Sequence, residues 1–178
     1  MKKLIKYSLA AATMCLAFSV GALPSGKTRA FQIWGHMDGE ITEWAVNPVT
    51  GSGFFKTVEW GRGVTTFGGH HYLEGEMTFY VEAGILVSAV GTADWTAANG
   101  KDTMTAAVVN SAGTTTVTVT GASGRFAGVT GWFTSQPSNV VVVPEFGPNP
   151  DNPAQIIFLG GTISYDTKGS GCLTFGEK

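Results

Sequence analysis

FQIWGHMDGEI, residues 31–41, alternates along its whole length. Its odd positions are Phe31, Ile33, Gly35, Met37, Gly39 and Ile41; its even positions are Gln32, Trp34, His36, Asp38 and Glu40. Successive side chains of a β-strand point to opposite faces, so one face here is apolar and the other largely polar, as in a half-buried strand. HHYLEGEMTFYVE, residues 70–82, repeats the device, with His71, Leu73, Gly75, Met77, Phe79 and Val81 opposite Tyr72, Glu74, Glu76, Thr78 and Tyr80.

Working outward from these two stretches, the rest of the chain reads the same way. Gly84–Trp95 is a nearly continuous apolar strand, and Thr103–Asn110, Thr114–Thr120, Val129–Thr134, Ile156–Tyr165 and Gly171–Phe175 are further strands. Asn99-Gly100 carries the type I′ hairpin signal, Ala112-Gly113 turns the chain again, and Lys168-Gly169 separates the last two segments. No amphipathic helical period occurs beyond residue 22. The expectation is an all-β fold of eight or nine antiparallel strands, best met by a single calycin-like β-barrel of about eight. A sandwich is the alternative; a closed barrel has the advantage of leaving no exposed edge.

The first 22 residues stand apart. Lys2, Lys3 and Lys6 form a basic start, Ser8–Val20 is mostly apolar, and Val20-Gly21-Ala22 offers small residues where a signal peptidase cuts. This predicts a signal peptide over 1–22, with Ala30 as a secondary cleavage point, and a single domain over 23–178. Localisation is then periplasmic or extracellular. Met14 before Cys15 is a poor lipoprotein signal, so no membrane anchor is expected. Loss of the three leader lysines leaves 8 basic against 13 acidic residues, a net charge near −5, which argues against nucleic-acid partners. With Cys15 in the leader, Cys172 is read as a lone buried thiol.

Residues 136–155 break the rhythm. Five of the seven prolines lie here, at 137, 144, 148, 150 and 153, and a central strand tolerates none of them. The stretch reads as a long loop holding the short apolar run Val140–Val143, in the role of a lid or of a stiffened surface connection.

TGASGRFAGVTGWFT, residues 120–134, joins two alternating strands through Gly121, Gly124, Gly128 and Gly131. Glycine supplies positive φ or close backbone approach at such a corner. Phe126 is expected to plug a barrel end and Arg125 to hydrogen-bond freed carbonyls. A phosphate loop would need a helix after the glycines, and β-branched residues follow instead. The element resembles the G-G-T-G-x-F-x-G-x-x-G signature of the allene oxide cyclase-like and dirigent-like barrel superfamily. It is closer to a group of secreted bacterial proteins of unknown function carrying G-x-G-R-F-A-G-A-T-G. TTFGGHHYLEGEMTF, ADWTAANGKDTM and GTISY resemble further segments of that group, so the similarity spans about residues 63–165. The resemblance implies an eight-stranded barrel with an apolar interior that holds, cyclises or steers a hydrophobic molecule, and it carries no catalytic residue onto this chain.

Three constellations bear on chemistry. His71 shares the apolar face and is placed at the rim of a cavity, whereas His36 and His70 lie on polar faces; three converging metal ligands do not emerge, and neither metal nor cofactor is expected. Glu74 and Glu76 share one face at a spacing that acid/base chemistry permits, although most charged faces of this period are simply solvated. Trp34, Trp44, Trp60, Trp95 and Trp132 are numerous for the length and suit either a ligand mouth or core packing. Glycines 35, 39 and 75 on apolar faces suggest room inside the barrel. The predicted cavity is lined by Phe31, Ile33, Met37, Leu73, Met77 and Phe79, with His71, Glu74 and Glu76 as the candidate catalytic groups. Three functions follow: a carrier of a small hydrophobic ligand, a barrel isomerase or cyclase, or a structural surface protein with a filled barrel. A packed lumen selects the last, an apolar cavity the first, and a cavity containing a buried acid or histidine the second.

Overall fold

A computed structural model describes residues 26–176; the signal peptide expected over 1–22 lies outside them. Eight strands run in chain order: β1 (Lys27–Trp44), β2 (Gly53–Thr65), β3 (Gly69–Glu82), β4 (Ile85–Ala97), β5 (Thr103–Ser111), β6 (Thr114–Ala122), β7 (Thr130–Asn149) and β8 (Asn152–Phe175). Each pairs antiparallel with its successor, and β8 returns to pair with β1 from Lys27↔Phe175 to Glu40↔Thr162. The sheet is therefore a closed barrel.

Apolar alternation aims one side chain in two at the axis. Phe31, Ile33, Met37 and Ile41 of β1 meet Leu73, Met77 and Phe79 of β3, Phe133 of β7 and Ile163 and Leu173 of β8 in one buried core. Hairpins β3–β4 and β5–β6 turn through Ala83-Gly84 (φ 50° and 78°) and Ala112-Gly113 (φ 50° and 79°). Two successive positive φ values match the twist of the flanking strands, which makes these the tight hairpins of the barrel. Asn99-Gly100 is not such a turn. Only Gly100 is positive there (φ 68°), and the Asn99 side chain instead accepts from the backbone of Lys101 and Asp102 in a longer connection.

Three further expectations are corrected. Lys168-Gly169 does not separate strands, because both residues pair on β1 and β7 within one continuous 24-residue β8. The proline-rich 136–155 segment is not a loop. Beyond Ser135 strand β7 has no β6 partner, and before Thr162 strand β8 has no β1 partner. Gln136–Val143 lies along the part of β8 that also pairs with β1, and from Pro144↔Gly161 outward the two arms pair only with each other, as a ribbon rising past the barrel wall. Pro144, Pro148 and Pro153 lie where each arm has a single neighbour, so a missing N–H on the outer side breaks no ladder. Cys172 is not a free thiol, against the expectation of a lone one.

The two barrel ends differ. One carries connections 66–68, 98–102 and 123–129 and is closed: Phe126 is buried there, Phe67 packs edge-on against Phe175 with ring centroids 5.3 Å apart, and the Arg29 guanidinium lies over both rings. The other end carries the tight hairpins and the ribbon.

Candidate functional site: the barrel lumen

The glycine corner belongs to the closed end and is a structural device. Gly124 adopts φ 62° and opens a single 3₁₀ turn, Gly124–Phe126, that directs Phe126 inward. Arg125 does not seek carbonyls. Its backbone N–H and its guanidinium both donate to Asp102, and Asn99 donates to the same carboxylate. The Arg125 backbone N–H first, then Asn99, hold Asp102 well below the usual carboxylate range, at about 2.

Above this plug lies a cavity of about 100 Å³. Ile33, Met37, Leu73, Met77 and Phe79 line it, together with Ala89, Trp95, Val108, Val117, Phe133 and Ile163 from the far side of the barrel. Leu86, Asn110, Pro137 and Val140 lie where it nears the ribbon end. Phe31, the sixth expected lining residue, sits deeper and packs on Phe133 at 4.8 Å. The inward glycines do not all leave space. A Cβ on Gly35 would meet the Arg62 carbonyl at 3.2 Å, and one on Gly39 would meet the Val58 carbonyl at 2.8 Å and Glu59 Cγ at 3.0 Å. Gly75 borders the void, yet a Cβ there would likewise meet the Thr92 carbonyl, at 2.6 Å.

One polar group stands out inside this apolar wall. Glu59, 2% exposed, points into the lumen from β2. Thr57 donates to its Oε1 (2.8 Å) and the Tyr165 hydroxyl to its Oε2 (2.6 Å). Burial pushes the Glu59 carboxyl up, and the two hydrogen bonds only partly oppose this. Burial first, and the adjoining carboxylate second, push the Tyr165 hydroxyl up as well. Gly39 makes the arrangement possible, since any side chain there would occupy the space of Glu59.

The catalytic candidates read from sequence fall elsewhere. Glu74 and Glu76 are exposed on the outer wall, because β3 turns its apolar parity inward. His71 does face inward, but at the closed end rather than at a rim: it is buried over Gly63, and its Nδ1 donates weakly to the Gly69 carbonyl (3.4 Å). Burial pushes its pKa down. His36 is outside, between Asp166 (2.8 Å) and Asp38 (3.4 Å), and the Asp166 hydrogen bond leads in raising its pKa. Among the described residues no three His, Cys, Asp or Glu side chains converge on a metal position, and no helix is long and apolar enough to cross a membrane.

Glu59 is missing from the sequence-derived set for a physical reason. In β2 the outward residues include Val58, Trp60 and Val64, while the inward ones include Thr57, Glu59, Gly61 and Gly63. Polarity there runs against parity, so alternation alone gives no inward face. The register was the available signal: an acid framed by Thr57 and Gly61 on the parity of Phe55.

No family model matches the chain, and no curated protein matches it. Among solved structures, a pterocarpan synthase dirigent protein is similar over 89% of this chain and 90% of that one, with 10% identity and a TM-score of 0.47. At that identity no residue role passes from one protein to the other.

Proposed function

We propose that this is a secreted barrel whose lumen binds a small hydrophobic molecule. The observation that carries the reading is an apolar cavity of about 100 Å³ with one buried carboxyl, Glu59, held in place by Tyr165 and Thr57. A packed barrel of eight strands fills its interior with side chains, whereas one that leaves a void of this size has room for a ligand of about one ring. Ile33, Met37, Leu73, Met77 and Phe79 supply the apolar contact, and Glu59 supplies a fixed polar anchor, the arrangement typical of small-molecule sites. Apolar fluorescent probes are expected to bind. Met77→Trp enlarges a side chain that lines the cavity and is expected to abolish binding while leaving the circular dichroism spectrum unchanged. A folded wild type that binds no such probe overturns the reading in favour of a structural barrel.

A second reading, an isomerase or cyclase, is favoured by Glu59 itself. Burial shifts the Glu59 pKa upward, toward the range in which a carboxyl can exchange a proton with a bound substrate, as general acid–base catalysis requires. The catalytic group in that reading is Glu59 and not His71, Glu74 or Glu76. The test is a β,γ-unsaturated ketone, whose migration into conjugation is read by ultraviolet absorbance. Turnover by wild type but not by Glu59→Gln supports catalysis. Binding of the ketone without turnover leaves a carrier.

A further inference from the structure

The lumen holds a second polar group that the preceding account does not use. Trp95 of β4 lies between its register partners Leu73 and Met104, is 6% exposed, and lines the cavity with its indole edge-on to Phe133. Its Nε1–H is buried and has no hydrogen-bond partner. Among the polar groups lining the cavity, both Glu59 oxygens accept from Thr57 and Tyr165, and Asn110 donates to Thr115; among the described residues the other buried side-chain atom without a partner is His71 Nε2, toward the closed end. Buried donors are nearly always paired, and an unpaired one marks a place where a partner is to be supplied.

We propose that the lumen selects neutral apolar molecules bearing a carbonyl oxygen, and that the indole N–H of Trp95 receives that oxygen. An indole nitrogen only donates, so its complement is an acceptor. The acceptor must sit on an apolar body, because the walls nearest Trp95 are Leu73, Met104 and Phe133. It must also be uncharged: no lysine or arginine lines the cavity, and a carboxylate there would lie near Glu59 with no cation to offset it. The inference rests on the lumen-binding reading and adds the ligand's functional group to it.

The test uses a shape-matched pair, acetophenone and α-methylstyrene, which differ in a C=O for a C=CH₂. Dissociation constants are measured by calorimetry for wild type and for Trp95→Phe, which keeps the ring and removes the donor. The quantity read is the affinity ratio of ketone to alkene, so that general hydrophobicity cancels between the two proteins. One hydrogen bond to a previously unpaired donor predicts that Trp95→Phe lowers this ratio by about five- to tenfold, with alkene affinity little changed. A ratio that the substitution leaves unchanged overturns the assignment of Trp95 while the lumen still binds. If neither compound binds wild type, the lumen reading falls and this inference falls with it. Should Trp95→Phe fail to fold, the Trp95 indole proton resonance in wild type decides: a downfield shift on adding acetophenone, absent with α-methylstyrene, supports the contact, and an equal response to both refutes it.

Discussion

Tyr165→Phe tests the polar centre of the lumen most directly. The substitution removes one hydroxyl and leaves the ring. In the wild type that hydroxyl donates to Glu59 Oε2 at 2.6 Å, and Glu59 is 2% exposed, so the oxygen left behind is shielded from bulk water. A buried polar atom stripped of its partner costs about 1–3 kcal/mol, and the missing oxygen leaves a void too small to add much. For a domain near 150 residues this corresponds to a fall in Tm of roughly 2–4 °C per kcal/mol. The assay is urea unfolding at neutral pH, where the midpoint is expected to fall at constant m-value. A second signature lies in pH. The Glu59 pKa is raised in the folded state, so its contribution to stability is full below the unfolded carboxyl pKa and declines as pH rises through the folded value. The Tyr165 hydrogen bond opposes that rise, so Tyr165→Phe is expected to move the declining limb to higher pH, and Glu59→Gln to erase it. A Tyr165→Phe protein with the wild-type midpoint throughout the pH range would refute the reasoning, because the carboxyl would then draw nothing from the hydroxyl.

Three other outcomes are expected. Gly124→Val combines a β-branched residue at φ 62° with a Cβ 2.3 Å from Asp102 Oδ1, and calorimetric melting should show a loss of more than about 1 kcal/mol. Asp102 has a depressed folded pKa of about 2, so its stabilisation is full above the ordinary carboxylate range and is lost as pH falls toward 2; Asp102→Asn should be less stable at neutral pH and show a shallower acid limb in fluorescence-monitored unfolding. Mass spectrometry of the exported protein should place the N-terminus at Leu23. Cleavage after Ala30 would remove the pairs from Lys27↔Phe175 to Ala30↔Cys172, and a retained Met1 would overturn the leader reading.

The barrel was legible wherever polarity and parity agree. In β1 and β3 the apolar residues share a parity, and both strands face inward as that parity requires. The ribbon was illegible because proline reports on hydrogen-bond partners, and the number of neighbours that residues 144–153 have is a property of the closed sheet and not of the segment. Asn99-Gly100 misled for a related reason, since Asp102, immediately before β5, recruits Asn99 into the corner that holds Arg125. Of the site, the apolar wall could be read and its polar centre could not. Glu59 and Tyr165 are 106 positions apart, and only closure of β1 onto both β2 and β8 brings them together. Glu74 and Glu76 drew attention because they are two residues apart, which in a strand puts both on one face, and the register makes that the solvent face.

Closure of β8 onto β1 also constrains when the molecule can come into being. The 14 pairs between these strands join the first described strand to the last, so the ring cannot shut until nearly all of the polypeptide is present. Such long-range pairing is slow compared with local hairpins. The tight turns at Ala83-Gly84 and Ala112-Gly113 can form early and hold β3 through β6 as a meander, with an apolar face waiting for cover. A chain that delays its final seam in this way stays open for longer before the ring shuts. It also makes the seam the place where a circular permutant would be most informative. Joining residues 26 and 176 through a short linker and opening the chain at 83–84 would turn the slowest contact into a local one, and would be expected to speed refolding without altering the lumen.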